Sequence, residues 1–266
     1  MRKKVFKIFF NLALFPRPLY FSGVQKIPRF EEIDYQETSL GELILRKRTV
    51  LSLENQEIYE IILGNSFLMS SLFTVVEQEL SRFSLAAARL AFPDEKLDVV
   101  VGGLGLGYTA RAALEFEEVG SLRVVDYLKP VIEWHEKELV PLGKGLNDDP
   151  RCQYILGDFF KLSLGEGYDA AIPQFHAVLL DIDHSPAHLL TRENAEFYSS
   201  AGLAEFAKKI RPGGVFGLWS DDPPEETFMN SLREVFETVE THIVPFHNPI
   251  QEQDFESTVY VAVKSR

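Results

Sequence analysis

The chain has 266 residues, 45% hydrophobic and 25% charged, a composition typical of a globular protein that folds in water. Its formal net charge of −13 at pH 7 argues against a nucleic-acid partner, because an acidic protein repels phosphates. The single cysteine, Cys152, excludes an intramolecular disulfide, and no apolar run reaches the roughly 18 residues of a membrane-spanning helix, so we expect a cytoplasmic protein without stable membrane insertion.

Residues 1–29 are predicted to form a basic N-terminal extension. They contain seven Lys or Arg residues and no acidic residue. Several apolar residues recur there at helical spacing, namely Val5, Ile8, Phe9 and Leu12. This spacing indicates an amphipathic helix. We favour a helix that packs on its own protein or on a second subunit of a homodimer; a membrane-surface helix and a signal peptide are the alternatives.

Residues 30–65 are predicted to form a small antiparallel β unit. Three runs have the residue pattern of strands, FEEIDYQET, ELILRKRTVL and EIYEIIL, and turn-forming residues separate them. Apolar residues then recur at helical spacing from Ser66 to Phe92, which predicts a helix that ends before Pro93. This helix opens the third predicted segment, residues 66–266.

A strand, a glycine-rich turn and a helix follow in the run LDVVVGGLGLGYTA at residues 97–110. After it, strand-like and helical runs alternate, which is typical of a parallel sheet with helices on both faces. The last two strand-like runs, ETHIVPF and STVYVAV, are too close in sequence for a parallel crossover and must pair antiparallel. We therefore predict an α/β fold with a Rossmann-like, doubly wound, mostly parallel sheet, an antiparallel last strand and the small β unit in front.

Ligands of such sheets bind beyond the carboxyl ends of the strands, where this sequence places glycines and carboxylates. The first strand of the alternating region ends in Gly103, Gly105 and Gly107, which let a ligand approach the backbone closely. The next three strands end in Asp126, Asp158 and Asp181. A carboxylate at the second strand end is placed to accept hydrogen bonds from ribose hydroxyls, and one at the third from an adenine amine.

A nicotinamide cofactor is the first alternative. The run from Gly105 to Ala110 fits the pattern G-x-G-x-x-A, and Asp126 follows at a suitable distance. However, an acid at the third strand end and an antiparallel strand pair at the end of the chain are not part of that signature. Each aspartate, taken singly, is also compatible with a helix cap or a turn.

Several runs, in their order along residues 31–266, resemble the spermidine synthase-like branch of the adenosylmethionine-dependent transferases. They are GELILR, EIYEIIL, VVVGGLGLGYTAR, VVDYLKPVIEW, DDPRCQYILGD, AVLLDIDHSP and IRPGGVFGLW. The resemblance implies the class I methyltransferase fold, with S-adenosylmethionine or its decarboxylated form as co-substrate. It also implies that the glycines, Asp126 and Asp158 bind the adenosyl group and that Asp181 faces the reacting sulfonium.

The sequence departs from this family at three places. Aminopropyltransferases carry an aspartate inside the glycine loop, where this chain has Gly105. Their catalytic segment D-S-x-D-P reads DIDHS here, so the catalytic aspartate falls on His184. Nothing like their Pro-Thr-Tyr-Pro substrate loop lies between Phe246 and Thr258. Binding of the donor is therefore better supported than the transfer of an aminopropyl group.

An amine acceptor must lose a proton before it attacks the carbon attached to the sulfonium. Asp183 and His184 are the nearest predicted bases, and Glu60 and Tyr59 of the β unit are expected to close over the acceptor. We expect no metal, because the His184-x-x-x-His188 spacing contains a helix-breaking proline and no third ligand is evident.

The sequence thus predicts a spermidine synthase-like transferase of polyamine metabolism that moves an aminopropyl group to a small amine. A methyltransferase that uses S-adenosylmethionine is the close alternative, because Gly105 removes a carboxylate that would repel the donor's own carboxylate. A non-catalytic nucleoside-binding or scaffold protein is the alternative from another class.

Overall fold

The computed structural model describes residues 29–266, so the predicted basic helix of the N-terminal extension lies outside the described residues. The described chain begins with a sheet of four antiparallel strands in sequential order. These strands are β1 (Phe30–Thr38), β2 (Gly41–Val50), β3 (Gln56–Leu63) and β4 (Ser66–Ser70).

The fourth strand corrects the helix predicted from Ser66 to Phe92. Gly64 adopts a left-handed φ of +57°, which lets the chain reverse in a two-residue turn and pair Ser66 with Leu63. Helix α1 begins only at Val75 and runs to Ala91. The small β unit therefore extends to Ser70, beyond its predicted end at residue 65.

The main sheet has seven strands in the order β10-β11-β9-β8-β5-β6-β7. They are β5 (Leu97–Gly102), β6 (Val119–Asp126), β7 (Cys152–Leu156), β8 (Phe175–Leu180), β9 (Ile210–Ser220), β10 (Thr238–Asn248) and β11 (Gln253–Val263). Strands β5 to β9 pair in parallel, and β11 pairs antiparallel with both β9 and β10. The predicted fold class is confirmed, including the antiparallel last strand.

Helices connect and cover these strands. Besides α1 they are α2 (Tyr108–Leu114), α3 (Lys129–Glu136), α4 (Gly143–Asn147), α5 (Phe159–Leu164), α6 (Ser200–Phe206) and α7 (Glu226–Arg233). No helix within residues 29–266 is long and apolar enough to cross a membrane.

The main sheet is buried on both faces, which explains the unbroken apolar run at its centre. In β5, Val99 and Val101 belong to one core cluster and Val100 to the other. The first cluster also contains side chains of the small β unit, among them Leu45 and Ile61. The two sheets therefore share one hydrophobic core, and this packing brings β4 next to the glycine turn.

Candidate functional site

The glycine turn joins β5 to α2 at the carboxyl edge of the main sheet. Gly103, Gly105 and Gly107 all have left-handed φ angles, +94°, +48° and +91°. A Cβ atom on Gly103 would lie 2.0 Å from the carbonyl oxygen of Asp181, so a side chain at this position would collide with the end of β8. The turn therefore needs glycine both for its conformation and for its close approach to the neighbouring strand.

Three side chains from different elements hold the backbone of this turn. Asp126 Oδ2 accepts from the Leu104 N–H at 2.9 Å, and the Met69 sulfur accepts from the Leu106 N–H at 3.0 Å. His135 Nε2 lies 3.0 Å from the carbonyl oxygen of Gly105. Sequence reasoning missed Met69 and His135, because only the packing of β4 and α3 brings them to the turn.

His135 is uncharged in this position. Burial lowers its pKa to about 4, so the imidazole is neutral and Nε2–H donates to the Gly105 carbonyl. The contact requires an N–H donor, since the carbonyl can only accept, and the neutral tautomer with its proton on Nε2 supplies it. His135 is therefore a support of the glycine turn.

Asp126 lies at the end of β6, as the sequence indicates. Its other oxygen, Oδ1, accepts from the Leu128 N–H at 2.8 Å. Burial raises the pKa of Asp126, and the bonds from Leu104 and Leu128 oppose this shift by favouring the carboxylate. Each carboxylate oxygen has a second acceptor position, so Asp126 can hold the turn and still accept hydrogen bonds from ribose hydroxyls.

Asp158 caps helix α5 and also lines a cleft. Its Oδ1 accepts from the backbone N–H groups of Phe160 and Lys161, at 3.1 and 3.2 Å. The cleft beside it has a volume of about 400 Å³. Its other walls include Tyr127, which follows β6, and Ser39, which belongs to the small β unit. The helix cap therefore fixes the Asp158 carboxylate at the edge of this cleft.

Asp181 forms the centre of an acidic group that the sequence shows only in part. Its Oδ2 accepts from Thr109 Oγ1 at 2.7 Å, and burial raises its pKa to about 6. Glu77, in the first turn of α1, has its pKa raised to about 8 by burial and by the charges of Asp181 and Asp221. Sequence reasoning missed Glu77, because nothing in the predicted helix indicates that its first turn lies beside the end of β8.

Asp183 lies two residues after Asp181 but turns the other way. Only 1% of it is exposed, and it accepts from the Leu190 N–H at 2.6 Å, from Asn194 Nδ2 at 3.0 Å and from the Tyr198 hydroxyl at 2.8 Å. The prediction that Asp183 reaches into the acceptor space as a base is therefore wrong. Its carboxylate instead organises the segment that follows β8.

His184 lies beside the end of β9. Its carbonyl oxygen accepts from the Asp221 N–H at 2.7 Å, which ties the segment after β8 to the end of β9. Nearby, Asp222 accepts from Ser185 Oγ at 2.6 Å and contacts His188 Nδ1 at 2.7 Å. The residues from 29 to 266 contain no group of three potential ligands that could hold a metal ion.

Glu60 does not reach this region. It is 1% exposed and forms ion pairs with Arg46 at 2.7 Å and Arg48 at 2.8 Å within the small β unit. Tyr59, the preceding residue, packs against the main core, so strand alternation turns Glu60 to the opposite face. The expectation that Glu60 closes over an acceptor is therefore wrong, whereas Tyr59 is half-buried and its backbone pairs with Ser71 near the start of α1.

Two curated proteins that the chain resembles are polyamine aminopropyltransferases. The chain is 30% identical over 161 residues to polyamine aminopropyltransferase 2 of Pseudomonas aeruginosa, which covers 56% of this chain and 42% of that protein. It is 27% identical over 238 residues to the polyamine aminopropyltransferase of Korarchaeum cryptofilum, which covers 88% of this chain and 56% of that protein. The chain thus spans about half the length of these relatives. No protein-family model matches it.

Two solved structures of spermidine synthases share the fold. The spermidine synthase from Thermotoga maritima matches with a TM-score of 0.63 at 16% identity, over 88% of this chain and 73% of that one. A spermidine synthase in complex with the transition-state analogue AdoDATO matches with a TM-score of 0.62 at 14% identity, over 88% and 72% of the two chains.

Proposed function

We propose that this chain, a spermidine synthase-like protein with a methyltransferase-like fold, transfers an aminopropyl group from decarboxylated S-adenosylmethionine to a small amine. The observation that carries the proposal is the position of Asp181. Its carboxylate lies at the end of β8, beside the glycine turn and in the same space as Glu77. A group of carboxylates there suits a cationic amine acceptor.

The adenosyl group of the donor would bind along the carboxyl edge of the sheet. The glycine turn supplies a backbone that a nucleoside can approach, and Asp126 has free acceptor positions for the ribose. The cleft lined by Asp158 and Tyr127 has a volume of about 400 Å³ and would hold the adenine. These features support an adenosyl donor, and the likeness to aminopropyltransferases favours its decarboxylated form.

The reaction is a displacement at a carbon attached to a sulfonium. The acceptor nitrogen forms a bond to the first carbon of the aminopropyl group, and the bond from that carbon to sulfur breaks with its electron pair left on the sulfur. The products are methylthioadenosine and the lengthened amine, and the proton lost by the acceptor goes to a base of the protein. The contribution of this chain is to align the two reactants and to accept that proton.

Product analysis tests the proposal. The protein is incubated with decarboxylated S-adenosylmethionine and a panel of linear diamines, and the products are identified by mass spectrometry. We expect equal amounts of methylthioadenosine and an aminopropylated amine. Asp181→Asn should lower kcat/KM by roughly 10- to 150-fold, the equivalent of about 1.5–3 kcal/mol for a hydrogen bond to a charged group.

Asp94→Asn is the matched control, because Asp94 is an exposed carboxylate before the amino end of β5, at the edge of the sheet opposite to the glycine turn. It should retain the wild-type rate. Methylated amines formed from S-adenosylmethionine would show a methyltransferase instead. Binding of methylthioadenosine without turnover of either donor would show a nucleoside-binding protein.

A further inference from the structure

Helix α1 brings its first turn to the edge of the main sheet where the parallel strands end. The helix is joined to β5 by residues 92–96 only, so it runs antiparallel to that strand and begins at the strand's carboxyl edge. Glu77 is the acidic residue of its first turn. A carboxylate on α1 is thereby placed next to residues that follow the strands in sequence.

Two hydrogen bonds fix the face of α1 on which Glu77 lies. Ser81 Oγ donates to the Thr109 carbonyl at 2.7 Å, and Thr109 Oγ1 donates to Asp181 at 2.7 Å. Glu77 precedes Ser81 by four residues, so it lies on the same helix face and one turn nearer to the strand ends. Its side chain therefore shares the space of Asp181 and the first turn of α2.

The groups that face Glu77 come from three elements. Asp181 follows β8 and Asp221 follows β9, and both are acidic. Tyr108, at the start of α2, faces Ser71, and its pKa is raised by burial and by the charge of Glu77. None of the ion pairs among residues 29–266 includes Glu77. The environment thus disfavours the carboxylate form and gives Glu77 a high proton affinity.

The other carboxylate predicted as a base is not available for proton transfer. Asp183 is buried and fully engaged by Leu190, Asn194 and Tyr198. The backbone carbonyl of His184 joins the segment after β8 to the end of β9, and its imidazole is the alternative base that the experiment below separates from Glu77. Glu77 and Asp221 are the carboxylates beside Asp181 that form no ion pair within residues 29–266. Asp221 accepts from Ser257 Oγ at 3.4 Å, and the charges of His184 and His188 favour its carboxylate form, whereas Glu77 has only acidic groups and Tyr108 around it.

We infer that Glu77 is the residue that takes the proton from the acceptor amine. This inference rests on the proposed function and deepens it. The acceptor arrives as an ammonium ion, and the ionised Glu77 carboxylate removes one proton and becomes a neutral acid. The free amine then attacks, the carbon–sulfur bond breaks, and the product carries the positive charge on its new secondary ammonium. Asp181 stays ionised and attracts the cationic groups.

The pH dependence of the rate follows from this role. Glu77 must be deprotonated to act, and its pKa is raised to about 8 while that of Asp181 is raised to about 6. The value of kcat/KM of the wild-type protein should therefore increase with pH and show an apparent pKa near 8. Because Glu77 and Asp181 interact, the pair titrates in two steps, and this apparent pKa is the higher of the two.

The variant Glu77→Gln tests the inference, because it keeps the size of the side chain and removes the base. We expect kcat to fall about 10²- to 10⁴-fold and the increase of kcat/KM near pH 8 to disappear. The dissociation constant of methylthioadenosine should stay within about threefold. Glu79→Gln is the control, because Glu79 lies two residues further along the same helix and pairs with Arg82 at 2.7 Å. This variant should keep the wild-type kcat, pH profile and affinity for methylthioadenosine.

Several outcomes would overturn the inference. They are a Glu77→Gln variant with wild-type kcat, an unchanged pH profile, or a loss of methylthioadenosine affinity as large as the loss of rate. If the increase of kcat/KM with pH disappears in His184→Ala and persists in Glu77→Gln, the base is His184. If the wild-type protein yields no aminopropylated amine at all, the proposed function fails and this inference fails with it; if only the variant results are contrary, the proposed function stands.

Discussion

Asp181 and Asp183 are separated by one residue, but their carboxylates have different roles. Asp181 receives one side-chain hydrogen bond, from Thr109, and keeps acceptor positions free at the edge of the sheet. Asp183 is enclosed by backbone and side-chain donors of the segment that follows β8. The first can therefore meet a ligand, whereas the second stabilises the fold.

Asp183→Asn should destabilise the protein while leaving the donor affinity in place. The amide would present its own N–H groups to Leu190 N–H, Asn194 Nδ2 or the Tyr198 hydroxyl, so at least one buried donor would lose its partner. We expect the free energy of unfolding to fall by about 1–3 kcal/mol in urea denaturation. Asp94→Asn, an exposed change, should stay within about 0.5 kcal/mol of the wild type. An equal stability of the two variants would contradict the positioning role of Asp183.

At the scale of the elements, the side chain of Met69 connects β4 to the glycine turn. Met69 of β4 accepts from the Leu106 N–H, and a Cβ on Gly105 would lie 2.5 Å from the Met69 sulfur. The side chain of Met69 thus occupies the space beside Gly105. The small β unit in this way takes part in shaping the glycine turn.

A double-mutant cycle measures this coupling. Gly105→Ala should lower the free energy of unfolding by more in the wild type than in a Met69→Ala background, because the shorter side chain removes the collision with the new methyl group. We expect a coupling energy of about 0.5–3 kcal/mol. Gly64→Ala is the control for backbone strain alone, since Gly64 has a similar φ of +57° and open space around it. Additive effects of Gly105→Ala and Met69→Ala would contradict a direct contact.

The sequence predicts the elements of the main sheet well because both the apolar runs and the residues that end them are local signals. The pattern that places Asp126, Asp158 and Asp181 at strand ends needs only the order of strands. Strand β4 is not predictable from its own residues, because Phe67, Leu68, Met69 and Leu72 fit helical spacing, and the turn at Gly64 decides in favour of a strand. The roles of Asp183, Glu60 and Glu77 depend on tertiary packing, which no local pattern contains.

At the scale of the whole molecule, the small β unit and the main sheet form one body. Trp134 Nε1 of α3 donates to Asp34 of β1 at 2.6 Å, and side chains of both sheets fill the same core cluster. The chain is acidic overall, with a formal net charge of −13. Its field therefore favours the approach of cationic reactants, and the ionised Asp181 continues that preference at the candidate site.

The negative charge of Asp181 should also discriminate between the two possible donors, since S-adenosylmethionine carries a carboxylate that its decarboxylated form lacks. A competition experiment tests this most directly: both donors are supplied at equal concentration with one diamine, and the methylthioadenosine and adenosylhomocysteine formed are quantified. We predict that methylthioadenosine exceeds adenosylhomocysteine by at least about tenfold, equivalent to about 1.4 kcal/mol of discrimination. An excess of adenosylhomocysteine, with methylated amine as the product, would contradict aminopropyl transfer.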